Sequence, residues 1–189
     1  MSELTPVLVA ASELVSFCRE RDWPSCLIGG LAVQRWGEPR FTRDADLTLL
    51  TGFGSESVFI DELVGNFAPR RADAAEFAQR ARVVLLKAGN GVDLDVALGA
   101  LPFEERSVKR SSDYAFRESC VLPTCSAEDL IVHKVFAGRD RDWADVRGVL
   151  SRQGKQLDLS LIRKELCPLL EAKEDSESME KFERLASGL

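Results

Sequence analysis

Two glycines and two aspartates, close together in the sequence, are the residues that could do chemistry. Gly29 and Gly30 follow an apolar run, and Asp44 and Asp46 open a second apolar run. Paired glycines let a backbone approach a phosphate closely, and the amides of a following helix N-terminus favour negative charge. Side chains alternate along a strand, so the two aspartates point the same way, with Cα atoms roughly 6.5 Å apart. Carboxylates at that separation can bind divalent cations, and Mg²⁺ favours one or two carboxylates together with substrate phosphates.

The alternation of aspartates recurs further along the chain, where Asp93 and Asp95 lie in another apolar segment. A carboxylate projecting from such a strand is costly unless it meets cations or hydrogen-bond donors. Three carboxylates from two adjacent strands make a clamp for two metal ions, which activate the attacking oxygen and stabilise charge on phosphorus. Alternation leaves the choice between Asp93 and Asp95 open because both share a face; we favour Asp95, which apolar residues follow. Each Asp-x-Asp alone is also typical of strand-edge solubility or turn capping.

Apolar periodicity predicts the elements that must position these residues. Strands are predicted over 26–28, 45–50, 83–86 and 92–98, the last two joined by a turn that contains Asn-Gly. Helices are predicted over 6–21, 31–36, 56–65, 127–137, 142–151, 159–172 and from 176 onward.

The order of these elements predicts an α+β fold, in which a small mixed β-sheet with flanking helices is followed by helices alone. We expect residues 1–120 to form the α/β core and residues 121–189 to form a helical subdomain packed on that core.

Composition narrows the class of protein. The formal net charge of −6 argues against nonspecific coating of nucleic acid, which needs many contacts from Lys and Arg to phosphates. No apolar stretch approaches the ~20 residues that a membrane span requires, and charged residues near the beginning argue against a signal peptide. The five cysteines follow no zinc-like spacing. We therefore expect a protein of the reducing cytoplasm with no membrane partner.

The succession of Gly-Gly, a short helix, Asp-x-Asp and a later strand aspartate resembles the nucleotidyltransferases of the DNA polymerase β superfamily. The closer resemblance is to the AbiEii/AbiGii-type toxin nucleotidyltransferases. Their Arg-x-(Ser/Thr)-x-Asp-x-Asp pattern fits Arg40-Phe-Thr42-Arg-Asp44-Ala-Asp46, and their helical segment resembles residues 128–146, which include Lys134. The resemblance covers roughly residues 25–150 and implies the nucleotidyltransferase fold.

The resemblance implies transfer of a nucleoside monophosphate from an NTP to an acceptor hydroxyl, with pyrophosphate released and two Mg²⁺ ions as cofactors. Asp44 and Asp46 would hold the metals, and Asp95 would join them, orient the acceptor hydroxyl and take its proton. The nucleotide would be bound by Gly29, Gly30, Arg40, Thr42 and Lys134.

Simpler roles exist for several of these residues. Lys134 fits a solvated helix position, and Arg40 fits a structural pair with Glu38 or Asp44. His133, the single histidine, is more typical of a helix-surface or packing residue than of a catalytic base. Aspartates at positions 142 and 145 have the i, i+3 spacing of an intrahelical charge network with nearby arginines.

The acceptor stays open at this stage: an RNA end, a protein side chain or a small molecule each fits. Candidate phosphate contacts for an RNA acceptor are Arg35, Arg40, Arg43, Arg70, Arg71, Arg80 and Arg82. The toxin resemblance implies an antitoxin partner. The alternative function is a non-catalytic nucleotide-binding or toxin–antitoxin interaction module with the same fold.

Overall fold

The computed structural model describes residues 4–188, which divide into two compact units. The first unit comprises the chain up to Leu31 together with Phe41–Cys125. The second comprises Ala32–Arg40 together with the chain from Ser126 onward. The sequence-based boundary after residue 120 differs from this division, because residues 120–124 form a strand of the first unit's sheet.

The first unit is built on a seven-stranded sheet with the strand order β3-β4-β5-β2-β1-β7-β6. In chain order, its strands are β1 (Ser25–Leu27), β2 (Asp44–Leu50), β3 (Ala68–Pro69), β4 (Val83–Lys87), β5 (Asp93–Gly99), β6 (Ser112–Arg117) and β7 (Cys120–Thr124). Its helices are α1 (Pro6–Arg19), the start of α2 (Gly29–Trp36), α3 (Glu56–Asn66), α4 (Ala74–Ala81) and α5 (Pro102–Arg110).

The sheet is mixed, as the sequence predicts. β2 pairs with β5 in parallel and with β1 in antiparallel orientation, and β4 and β5 form the expected antiparallel hairpin. The predicted α+β fold class is thereby confirmed. The sequence patterns did not reveal α4, α5, β3, β6 and β7, which are short or rich in charged residues. The apolar periodicity that marks an element is correspondingly weak there.

The two central strands bury one face in the core and carry aspartates at the beginning of the other face. Leu47 and Leu49 on β2 and Leu94 and Val96 on β5 are fully buried in the hydrophobic core, which α1 covers with Leu14 and its neighbours. The alternate residues near the beginnings of β2 and β5 are half-buried aspartates. Burial of one face therefore dictates that the aspartates share the other face.

The second unit is helical. Besides the end of α2, it contains α6 (Ala127–Ala137), α7 (Asp140–Gln153), a 3₁₀ turn (Gly154–Gln156), α8 (Leu159–Lys173) and α9 (Ser176–Ala186). α6 packs against α7, α8 and α9. Side-chain caps define three helix starts, since Ser126, Asp158 and Asp175 each accept a hydrogen bond from a backbone amide of the first turn.

Among residues 4–188, no helix has both the length and the apolar character needed to cross a membrane.

Candidate active site

Four aspartates form two facing pairs on neighbouring strands of the first unit. In the parallel register of β2 and β5, Asp44 lies opposite Asp93 and Asp46 lies opposite Asp95. Adjacent strands are about 4.8 Å apart, so carboxylates at paired positions on one face are near neighbours. Sequence alternation correctly placed each pair on one face, and the register now aligns the two pairs.

Asp46 lies against the paired glycines. The chain leaves β1 at Leu27, and Gly29 has a positive φ of 58° where α2 begins. A Cβ on Gly29 would lie 2.8 Å from the Asp46 Cβ, closer than side-chain carbons approach one another. The Gly30 amide points to the Asp46 carboxylate, with a nitrogen–oxygen distance of 3.4 Å. Both the left-handed conformation and the close approach therefore require glycine at position 29.

Thr42 is a buried neighbour of the same two elements. Its hydroxyl donates to Asp44 Oδ1 at 2.9 Å, which restrains the rotamer of that carboxylate. A Cβ on Gly30 would lie 2.8 Å from the Thr42 Cβ, so the beginning of α2 and Thr42 are packed together. The predicted residues Gly29, Gly30, Thr42, Asp44 and Asp46 thus lie close together within the first unit.

Cations distinguish Asp93 from Asp95. Asp93 forms ion pairs with both Lys87 and Arg70, and the Arg70 Nη1 lies 2.9 Å from Asp93 Oδ2. Asp95 pairs with Arg70 through the other terminal nitrogen. The hydrogen bond from Lys87, together with the Arg70 guanidinium, lowers the pKa of Asp93 below its ordinary value despite partial burial.

The pKa of Asp95 is shifted in the opposite direction. Burial raises it most, the charges of Asp44 and Asp93 raise it further, and the Arg70 guanidinium opposes the rise. The charged form of Asp95 is therefore the less well stabilised of the two, and it is electrostatically coupled to Asp44 across the strands. A further cation next to Asp44 and Asp95 would relieve this repulsion.

The donor set suits magnesium chemically, although the side chains are not arranged as a complete cage. Within residues 4–188, no group of three or more His, Cys, Asp or Glu side chains is positioned to hold a metal ion. Mg²⁺ sites commonly combine only one or two carboxylates with substrate phosphates and water. Asp44 and Asp46, on one strand face beside a glycine turn without side chains, fit that kind of site.

Arg70 is a site residue whose role the sequence patterns missed. It follows β3, where its amide donates to the Leu85 carbonyl at 3.0 Å, and its guanidinium spans Asp93 and Asp95. The sequence identified Arg70 as a candidate RNA contact only. No local pattern connects it with Asp95, because the contact depends on the pairing of β3 with β4 and of β4 with β5.

Arg40 and Lys134 lie in the second unit, where they share a carboxylate. Arg40 donates to both oxygens of Asp145, at 2.8 and 2.9 Å. The Lys134 ammonium lies 2.9 Å from an oxygen of Asp145 and 2.9 Å from an oxygen of Asp142. With a relative exposure of 6%, Lys134 is buried, so a solvated helix position is wrong for it.

The charges of this second cluster compensate one another. Burial alone would raise the pKa of Asp142 and Asp145. Hydrogen bonds from Arg139 and Lys134 to Asp142, and from Arg40 and Lys134 to Asp145, outweigh burial and lower both pKa values. The expected i, i+3 pairing holds for Asp142 with Arg139, the N-cap residue of α7. Asp145 pairs with the more distant Arg40 and Lys134.

A comparison with protein families matches residues 25–185 to the nucleotidyl transferase AbiEii toxin family of type IV toxin–antitoxin systems. The match covers most of the chain. The chain belongs to the AbiEii family. This AbiEii-family protein is therefore a nucleotidyltransferase, and the resemblance noted in its sequence is confirmed. Comparison with curated proteins finds no match.

Solved structures share the fold of this AbiEii-family protein at low sequence identity. An antigenic nucleotidyltransferase-like protein from Paracoccidioides brasiliensis has a TM-score of 0.51 at 13% identity, with 92% of each chain covered. ANT(2'')-Ia in complex with adenylyl-2''-tobramycin has a TM-score of 0.55 at 13% identity, covering 89% of this chain and 99% of that chain. The solution structure of the antibiotic-resistance factor ANT(2'')-Ia gives 0.52 at 14% identity, covering 94% and 96%.

Proposed function

We propose that this protein transfers a nucleoside monophosphate from an NTP to an acceptor hydroxyl, with two Mg²⁺ ions held by Asp44, Asp46 and Asp95. The observation that carries the proposal is the parallel register that sets Asp46 opposite Asp95. The paired glycines let the beginning of α2 pack closely against Asp46 and Thr42. The backbone amides of that helix N-terminus would bind a triphosphate. Membership of the AbiEii family supports nucleotidyl transfer as the reaction.

Bound Mg²⁺ would stabilise the negative charge that develops on the phosphoryl oxygens and on the attacking oxygen. The chain's own residues do the positioning. Thr42 holds the Asp44 carboxylate by its hydroxyl, and the Gly30 amide approaches the Asp46 carboxylate. Asp95, whose pKa burial raises, is the carboxyl group assigned to orient the acceptor hydroxyl and accept its proton.

The resemblance assigns phosphate binding to Arg40 and Lys134, and we keep this assignment within the proposal. Both side chains already pair with Asp145, so each also has a structural task in the second unit. The two tasks make different predictions, since loss of a structural pair lowers stability whereas loss of a phosphate contact lowers NTP affinity.

The acceptor and the biological role complete the proposal. The family description, a type IV toxin–antitoxin system, supports a toxin that acts together with an antitoxin partner. The adenylylated tobramycin bound to ANT(2'')-Ia shows that a structural relative holds a modified small molecule. We therefore include small-molecule hydroxyls beside RNA ends and protein side chains as acceptor classes.

The test is a transfer assay with each of the four NTPs, labelled at the α-phosphate, in the presence of Mg²⁺. Cellular RNA, cellular protein and a metabolite fraction are offered separately as acceptors. Label on one acceptor class, with release of pyrophosphate, supports transfer. NTP binding without transfer in every mixture would instead favour the non-catalytic module.

Charge-matched variants tie the reaction to the site. Asp44→Asn and Asp46→Asn should each abolish transfer while the thermal transition changes little. Asp113→Asn is the control, because it removes the same charge from an exposed pair with Arg19 in the same unit. Normal transfer by either site variant would refute the assignment of these carboxylates.

A further inference from the structure

Arg70 is the cation nearest to the proposed third metal ligand, and its position raises a question of competition. One terminal nitrogen contacts Asp93 Oδ2 at 2.9 Å, and the other contacts Asp95 Oδ1. The Arg70 Nε is buried and has no hydrogen-bond partner among residues 4–188. The guanidinium is thus held by its two terminal nitrogens, one for each carboxylate.

A guanidinium and a metal ion compete for the same carboxylate. Arginine stays protonated at any pH a protein tolerates, so it cannot yield its place to Mg²⁺ by losing its charge. Two cations at one carboxylate repel each other strongly, all the more where water is partly excluded. A metal that binds the same Asp95 oxygen, Oδ1, therefore requires Arg70 to leave that oxygen.

Arg70 can keep its ion pair with Asp93 after it leaves Asp95. The contact of Asp93 with Arg70 uses a different guanidinium nitrogen from the one that contacts Asp95. Arg70 can consequently withdraw from Asp95 by a side-chain rotation and still be paired. The two aspartates of the second Asp-x-Asp motif would then have different roles. Asp95 would contact the metal, and Asp93 would keep its ion pair with Arg70.

We propose that Arg70 is the resident counter-ion of Asp95, which restrains metal binding in the nucleotide-free protein and withdraws onto Asp93 when metal binds. The inference rests on the proposed function, because it takes Asp95 as a metal ligand. Arg70 acts through Asp95 and is a positioning residue.

Lys87 provides a matched control. It pairs with Asp93, through Oδ1, and not with Asp95. Lys87→Gln and Arg70→Gln each remove one positive charge from the same pair of aspartates, so they alter the general electrostatic field to a similar extent. Only Arg70→Gln removes the cation that contacts Asp95.

The experiment measures Mn²⁺ binding to the full chain without nucleotide, by the electron paramagnetic resonance signal of free Mn²⁺. We expect Arg70→Gln to tighten Mn²⁺ binding about tenfold, and Lys87→Gln to tighten it by less than about threefold. Equal effects of the two variants would overturn the inference, because a general field would then explain both.

A measurement on the unaltered protein avoids dependence on variant folding. In the ¹⁵N-labelled chain, the Arg70 guanidinium resonances should shift as diamagnetic Mg²⁺ is added, with the same midpoint as metal binding. Guanidinium resonances that stay unchanged at saturating Mg²⁺ would overturn the inference.

Failure of the inference is distinguishable from failure of the proposed function. If Asp44→Asn and Asp46→Asn leave Mn²⁺ affinity unchanged, the metal site itself is refuted and the inference falls with it. If those variants abolish Mn²⁺ binding but Arg70→Gln matches Lys87→Gln, only the role of Arg70 is refuted.

Discussion

Asp46 on β2 lies directly opposite Asp95 on β5, on the face of the sheet that the hydrophobic core does not occupy. Neighbouring carboxylates of like charge are unfavourable unless a cation lies near them. Asp95 has Arg70 as such a cation, and the Asp46 carboxylate is approached by the Gly30 amide. The arrangement concentrates negative charge beside a turn without side chains, as a site for a metal-bound triphosphate requires.

The first prediction separates the two aspartates of β5. Asp95→Asn should lower kcat at least about 100-fold, because it removes a group proposed to bind metal and accept a proton. Asp93→Asn should keep kcat within about tenfold of the unaltered protein, because the role assigned to Asp93 is to pair with Arg70 and not to bind metal. Steady-state rates of pyrophosphate release measure both. If Asp93→Asn lowered kcat more than Asp95→Asn does, Asp93 would be the third metal ligand in place of Asp95.

The second prediction concerns the glycine turn. Gly30→Ala should lower both transfer activity and stability, since its Cβ would lie 2.8 Å from the Thr42 Cβ and disturb the partner of Asp44. Gly65→Ala is the matched control, because Gly65 is also helical and nothing lies within 4 Å of its added Cβ. The control should stabilise the fold by about 0.5–1 kcal/mol. Urea unfolding measures the stability of both variants, and transfer assays measure their activity. Equal stability and equal activity of the two variants would contradict the interpretation.

The third prediction tests the structural task of Lys134. Lys134→Met leaves Asp142 and Asp145 buried with less compensation, and should cost about 3 kcal/mol of unfolding free energy. Arg163→Met breaks an exposed pair with Glu183 in the same unit and should cost less than about 1 kcal/mol. Chemical denaturation compares the two variants.

Measured at a temperature where Lys134→Met remains folded, NTP affinity then tests the second task of this lysine. Unchanged affinity would remove Lys134 from the nucleotide site and leave it a purely structural residue. A stability loss no larger than that of Arg163→Met would contradict the buried ion-pair role.

The fourth prediction is a pH dependence carried by His133. Burial, aided by the neighbouring Lys134 charge, lowers the pKa of this histidine from 6.5 to about 4. Between those values the unfolded chain binds a proton that the folded chain does not, so stability is full above pH 6.5 and falls as pH falls. The loss between pH 7 and pH 5 should reach up to about 2 kcal/mol.

His133→Gln isolates this contribution, because the chain contains no other histidine. The unfolding free energy of the variant, measured by denaturation, should change little between pH 7 and pH 5. The lowered pKa values of Asp142 and Asp145 act in a separate window, below their ordinary value of 3.8. If the unfolding free energy of the variant fell with pH as steeply as that of the unaltered protein, the folded protein would not be holding His133 in its neutral form.

The sequence by itself determined most of the helices, the central strands and the identity of the reactive groups. Helix 127–137 was predicted with the bounds that the structure has. Alternation along a strand was enough to put Asp44 and Asp46 on one face, since side-chain direction there depends only on local backbone geometry. The order of glycine pair, Asp-x-Asp and later aspartate was enough to indicate the family to which the chain belongs.

Only the tertiary structure decided which charges meet. The contacts of Arg70 with Asp95, and of Arg40 and Lys134 with Asp145, join residues that are 11 to 105 positions apart in the sequence. Such contacts depend on strand register and helix packing, which many distant residues determine together. The spacing of charged residues in the sequence does not indicate which of them form ion pairs. The sequence therefore names the carboxylates of the site, and the fold determines the cations that hold them.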